Sequence, residues 1–197
     1  LHHKSEGSGA GGAAEPDGQK TDEELMGRYV DGDRAAFMTL FGRYTGRIYG
    51  YLLHCTGDRA LAEDLAQQTW LRLHHARSSF DAQARFSPWI YTIAANLRRD
   101  HARGSSRASE CLTDDGLAPE PAPGPPGDLM TERAAAVQQA LHSLPAGFRE
   151  VIVLHRWHEL SFAEIAQILG TTEGAVKVRA HRGYLKLREL LQRAGLK

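Results

Sequence analysis

Trp89, Thr92, Asn96, Arg99 and Arg103 follow one another at spacings of three and four, which on a helix sets them in a single line. An aromatic ring, amide donors and cations in a row are what single-stranded DNA requires: a face for stacking, donors for base edges and charge for phosphates. A base turned out of a duplex costs a few kcal/mol, and a pocket that stacks and bonds it offsets that cost. Phe86, Ile90, Ile93 and Leu97 lie roughly a quarter turn away and form the apolar stripe that would anchor this helix. For Trp89, simple burial is the competing reading.

Two further constellations carry chemistry. In the last helix, Val176, Ala180, Gly183, Leu187 and Leu190 step by four, three, four and three, so they point inward. Glu173, Lys177, Val178, His181 and Arg182 then face outward near the helix start, where a recognition helix meets base edges in the major groove. The other set lies between Arg59 and His74. There Asp64, Gln67, Gln68, Leu71 and the following His75 share one face, with Leu61, Leu65 and Trp70 largely on the other. An exposed leucine among amides and acid suits a docking surface; a plain amphipathic core helix is the alternative.

The elements that must position these residues are all helical. Thr21 and Glu24 form a capping box that opens a short helix to about Val30. Asp33 caps a longer one with Phe37, Leu40, Phe41, Tyr44, Ile48, Tyr51 and Leu52 on its buried face. Asp58 caps a third, and Ser87-Pro88 starts a fourth. From Gly104 to Gly127 the pattern gives way to Ser, Pro, Gly, Ala and acid, a flexible linker. Asp128 caps the next helix to about His142, and Pro145 opens another through Trp157. Ser161 with Glu164 begins a short helix ended by Gly170, and the last runs from about Thr172 to Arg193. Ser161–Leu169, the turn Gly170-Thr171-Thr172 and the helix after it have helix-turn-helix lengths. The expectation is an all-α chain: a disordered leader over 1–20, a domain over 21–104, a linker over 105–127 and a helix-turn-helix domain over 128–197.

Charge supports the division. Lys plus Arg and Asp plus Glu are each 24, so the total is silent about a nucleic-acid partner. Locally it is not: Arg72 to Arg107 contains Asp81 and Asp100 as its only acids, and Lys177 to Lys197 only Glu189. Such cationic segments can displace counterions from phosphates. Cys55 and Cys111 lie far apart without metal-ligand spacing, which suits a reducing cytoplasm. No uncharged apolar run approaches the ~18 residues that cross a bilayer. The ten His residues offer an enzyme reading, for instance His74-His75 near Glu63-Asp64, or Asp100-His101. Adjacent histidines project at different angles and do not readily share a metal, and no phosphate loop or nucleophile elbow is present. No catalytic residue, metal or cofactor is expected. His155 and His158, flanking Trp157, are expected at the surface.

The run Leu144 to Leu191 resembles the promoter −35 reading domain of the extracytoplasmic-function (ECF) branch of the bacterial sigma-70 family. Leu144-Pro145, Glu164-Ile165-Ala166, Gly174-Ala175-Val176-Lys177 and Arg179 carry the likeness. Val178 stands where Ser is usual and Tyr184 where Arg is frequent, which implies an unusual −35 preference. Arg59 to His74 is similar to the family's core-polymerase-binding segment, and implies that Asp64, Gln67, Gln68 and Leu71 grip the clamp coiled coil of the largest polymerase subunit. Phe86 to Arg103 resembles the −10 recognition and melting helix, and the preceding loop, with Ser79, Phe80 and Gln83, the one that captures a flipped base. The resemblance further implies contact with the flap of the second-largest subunit, an acidic linker (Asp114, Asp115, Glu120, Asp128) threading the polymerase cleft, and an anti-sigma partner. The absence of a third helical domain points to the small branch of the family. The rival reading, a polymerase-independent helix-turn-helix regulator, predicts tight promoter binding by the chain alone.

Overall fold

The computed structural model describes residues 20–112 and 132–195. The leader before Lys20, the acidic residues Asp114, Asp115 and Glu120 and the expected cap Asp128 lie outside the described residues. Eight α-helices account for the described fold, with no strand among these residues: α1 Asp22–Val30, α2 Arg34–Thr56, α3 Arg59–Ala76, α4 Phe86–Leu112, α5 Glu132–His142, α6 Ala146–Arg156, α7 Phe162–Leu169 and α8 Glu173–Arg193. A 3-10 turn, Arg77–Ser79, follows α3.

The side-chain caps read from the chain that fall among the described residues are formed. Thr21 and Glu24 bond each other's backbone N–H at 2.8 and 3.2 Å, and Ser161 and Glu164 do the same at 2.8 and 3.2 Å. Each box satisfies two amide donors that a helix start otherwise leaves unpaired. Asp33 accepts from Ala35 and Ala36 N–H, and Asp58 from Leu61 N–H. Gly170, at φ +62°, ends α7 in the left-handed region that side chains disfavour. One boundary differs: α4 begins at Phe86 and continues past Gly104 to Leu112. Ser and Gly weaken a helix by up to ~1 kcal/mol each, whereas the prolines that would break it begin only at Pro119.

Helices α1 to α4 enclose Leu25, Leu40, Ile48, Leu52, Leu65, Leu73, Phe86 and Ile90, all buried. In the second bundle α6 and α7 pack beneath α8, with Val151, Ile165, Val176 and Ala180 buried. The two bundles do not stand apart. Val153, Leu154, Leu160 and Ile168 join one apolar cluster with Tyr51, Leu52, Ile90 and Tyr91, so α6 is seated on α2 and α7 on α4.

The α6–α8 crossing depends on Gly183. A Cβ there would lie 2.9 Å from Ile152 Cδ1 and 3.2 Å from Phe148 Cβ. The isoleucine terminus can turn aside, but the Phe148 Cβ moves only with its helix. Overpacking costs about 1–3 kcal/mol and the gain in helix propensity returns up to ~1 kcal/mol. Gly183→Ala is therefore expected to lower stability by about 1 kcal/mol, read as a lower urea midpoint; a raised midpoint would show the crossing to be loose.

Candidate nucleic-acid interface and docking face

Thr172 starts α8, its hydroxyl accepting from Ala175 N–H at 3.2 Å. The helix buries Val176, Ala180 and Gly183 and leaves Glu173, Lys177, Val178, His181 and Arg182 exposed, with Arg179 half-buried. That is the division expected from its sequence. Lys177 and Glu173 pair at 2.7 Å, both largely in solvent. Such a pair contributes little to stability, so the ammonium can exchange its carboxylate for a phosphate at small cost.

On α3, Asp64, Gln67 and Leu71 are exposed and Gln68 is half-buried. Gln68 Nε2 donates to Asp64 Oδ2 at 2.6 Å, and Leu71 is 60% exposed. Gln67 and Leu71 border an open groove of about 1100 Å³ between α2 and α3, also lined by Phe37, Met38, Phe41 and Trp70. Trp70 packs edge-on to Phe37 and tilted on Phe41, with ring centroids 5.8 and 4.9 Å apart. Its indole Nε1 is buried without a hydrogen-bond partner. The groove was not legible in the chain: Phe37 and Phe41 fit a core stripe, and helical periodicity does not tell a core from a cleft between two helices.

The α4 stripe is assembled but engaged. Trp89 is half-buried, edge-on to Phe80 at 5.1 Å, so ring packing and partial exposure coexist. Thr92 Oγ1 donates to Pro88 O at 2.8 Å. Arg99 donates to Asn96 Oδ1 at 2.6 Å and to the carbonyls of Ile168 and Leu169, each at 3.2 Å, at the end of α7. Arg103 is exposed, 3.8 Å from Asp100. Trp89 and Thr92 border a cleft of about 460 Å³ whose far wall is Glu164 and Gln167 of α7. Asn96 opens toward Arg72 and His75 of α3 on the other side.

Residues 40–108 match the family model of Sigma-70 region 2, and residues 134–187 that of Sigma-70, region 4. The chain belongs to the sigma-70 family. Within it, RNA polymerase sigma factor CarQ of Myxococcus xanthus is 39% identical over 166 residues, covering 84% of this chain and 95% of CarQ. ECF RNA polymerase sigma factor SigW of Bacillus subtilis (strain 168) is 35% identical over 176 residues, covering 82% and 91%. Among solved structures, the sigma factor RpoE from Bartonella quintana, in complex with the anti-sigma factor NepR, superimposes with a TM-score of 0.68 at 25% identity, over 79% of this chain and 96% of that one. CnrH, in complex with the cytosolic domain of CnrY, gives 0.66 at 26% identity, over 87% and 97%.

In this ECF sigma factor the region 2 and region 4 segments also meet through buried polar residues given no role in the sequence reading. Glu150 of α6 is 6% exposed; its Oε1 accepts from Tyr51 at 2.7 Å and its Oε2 pairs with Arg98 at 2.7 Å. Burial and the adjoining carboxylate hold the Tyr51 phenol well above its ordinary pKa. His158, expected at the surface, is instead buried, its Nδ1 2.7 Å from the Tyr91 hydroxyl. The reason is local: α6 ends at Arg156, and Glu159 turns at φ +55°, so His158 lies in a turn pressed against α2 and α4. His155 is half-buried and bonds Leu160 O at 3.0 Å.

Proposed function

We propose that this ECF sigma factor mounts on core RNA polymerase and confers promoter recognition and strand opening on it. The domain over 21–104 would grip the clamp coiled coil of the largest subunit with Asp64, Gln67, Gln68 and Leu71. The domain over 128–197 would sit on the flap of the second-largest subunit and read the −35 duplex with Glu173, Lys177, Val178, Arg179, His181 and Arg182. Phe80, Trp89, Thr92, Asn96, Arg99 and Arg103 would hold the opened −10 strand, and 105–127 would link the domains. The observation that carries this reading is the start of α8, where an outward set of polar and cationic side chains stands on a fully buried stripe, within the region 4 match. An anti-sigma partner is inferred from the solved relative RpoE, whose structure is a complex with the anti-sigma factor NepR. Its place of work would be the cytoplasm, beside polymerase.

Run-off transcription with core enzyme and a randomised promoter pool tests the whole reading. Enriched −35 and −10 sequences are expected, with negligible specific binding by the chain alone; tight solo binding would favour a polymerase-independent regulator. Lys177→Ala is expected to lower transcription from the selected promoters roughly tenfold. Asp64→Ala with Gln67→Ala should weaken capture of core enzyme by a similar factor while helix content stays unchanged. Asn96→Ala should reduce permanganate reactivity of −10 thymines more than it reduces initial binding.

A further inference from the structure

Over the start of α8 the exposed positions are Glu173, Gly174, Lys177, Val178, His181 and Arg182. Val178 alone among them carries an apolar side chain, and it is 51% exposed. A lone apolar side chain in solvent needs no explanation in itself. Its setting does. The helix packs through buried Val176, Ala180 and Gly183, and Val178 points away from them, among the polar and charged groups of the outward face.

Nothing on its own helix covers it. A helical side chain lies over the turn before its own Cα, and the residue one turn before Val178 is Gly174. A Cβ at Gly174 would meet nothing within 4 Å, so that flank of the isopropyl group is open. The branched Cβ of valine holds χ1 in one strongly preferred rotamer on a helix. Val178 is therefore a rigid apolar knob that loses little freedom on contact.

What such a knob can read is decided by the major groove. Guanine offers N7 and O6 there, adenine N7 and N6, and cytosine N4; a side chain without donor or acceptor would strand any of these. Thymine adds the one apolar feature of the groove, its C5-methyl group. The neighbouring charges have other uses. Lys177 and Arg182 suit guanine or phosphate, and Glu173, once released from its 2.7 Å pair with Lys177, can accept from cytosine. None of the three tells a methyl from a hydrogen.

We infer that Val178 is a specificity residue that selects a thymine in the −35 duplex by contact with its C5-methyl group. This rests on the proposed −35 reading of α8 and adds the base and the atom. The same contact forms with 5-methylcytosine, whose methyl occupies the same place in the groove, and is lost with uracil.

The test uses holoenzyme assembled from core polymerase and the full chain, at limiting concentration, on the promoter selected from the randomised pool. Each −35 thymine, on either strand, is replaced in turn by deoxyuridine, which removes the methyl and keeps every hydrogen bond. At one thymine, wild-type initiation is expected to fall about fourfold, the worth of one buried methyl group, while Val178→Ser is indifferent to the replacement. Cytosine at that position should lower wild-type initiation, and 5-methylcytosine should recover about fourfold of the loss. Val178→Ala, which keeps a smaller apolar contact, should show an intermediate response to deoxyuridine and keeps the coupling measurable if the serine variant fails to fold. A wild-type enzyme indifferent to deoxyuridine at every −35 thymine, variants as sensitive as wild type, or a selected −35 element without an A·T pair overturns the role of Val178. If the pool yields no enriched −35 sequence at all, the −35 reading of α8 fails and Val178 falls with it; if a −35 sequence is enriched but the methyl has no effect, only Val178 loses its role.

Discussion

Replacing Arg149 with methionine is expected to destabilise the second bundle by about 3 kcal/mol or more. Its guanidinium donates to four backbone carbonyls: Leu141, His142 and Leu144 at 3.1, 2.6 and 3.1 Å, and Cys55 at 2.9 Å. Leu141 and His142 close α5, and Cys55 is in the last turn of α2. These are positions where a helix leaves carbonyls without backbone donors and where its dipole favours a cation. One side chain therefore ends two helices and ties the turn after α5 to α6. Burial lowers the Arg149 pKa from its usual value, yet arginine stays charged in proteins at neutral pH. Methionine keeps the aliphatic stem but strands the acceptors. Arg149→Lys should recover less than half of the loss, because a point charge on a flexible stem cannot span four carbonyls. Urea unfolding of the full chain measures both; a Lys variant as stable as wild type would mean that charge alone, rather than the fork, does the holding.

The contrast between Arg149 and the recognition helix explains what the chain discloses before it is folded. The α8 pattern was legible because its inward and outward sets follow from one period within one helix, and because Thr172, Ser161, Glu164 and Gly170 mark its surroundings with local chemistry. The Asp64 to Leu71 face was legible for the same reason. What lay hidden depends on a second element. Arg98 and Arg99 are adjacent and chemically identical, but a turn of about 100° sends one into a buried pair with Glu150 and the other to the end of α7. Nothing in the local pattern separates them. Tyr51 reads as a core residue and Tyr91 falls in neither α4 stripe, yet both are buried; a stripe tells that a ring is covered and not by what. Polar tips at those positions were the available signal: a buried hydroxyl needs a partner, and the partner had to come from elsewhere in the chain. The same reasoning applies to the α2–α3 groove, where an apolar stripe exceeds what its own bundle covers.

His158 turns the interface into a titrating one. Its ring sits between Tyr51 and Tyr91, 6.1 and 4.9 Å away between centroids. Tyr91 occupies Nδ1, and Nε2 is buried without a partner. Burial, with cationic Arg47 and the His54 ring nearby on α2, lowers its pKa from 6.5 to about 4. The charged groups that face this region from the other packed helices, Arg98 of α4 and Glu150 of α6, are already paired with each other, and so offer an imidazolium no free counter-charge. A depressed histidine pKa favours the packed state while the ring is neutral. Its stabilisation is complete above about pH 6.5 and is lost as pH falls toward 4, since the separated or unfolded chain takes the proton first. Between neutrality and about pH 5 this single group is expected to withdraw about 2 kcal/mol. His54 and His142, both lowered mainly by burial, act in the same direction. Urea midpoints measured across that range should therefore fall steeply with acid, and His158→Phe, which keeps a ring between the two tyrosines, should flatten the decline. An equally steep decline in the Phe variant would assign the acid sensitivity to other groups and leave His158 a packing residue.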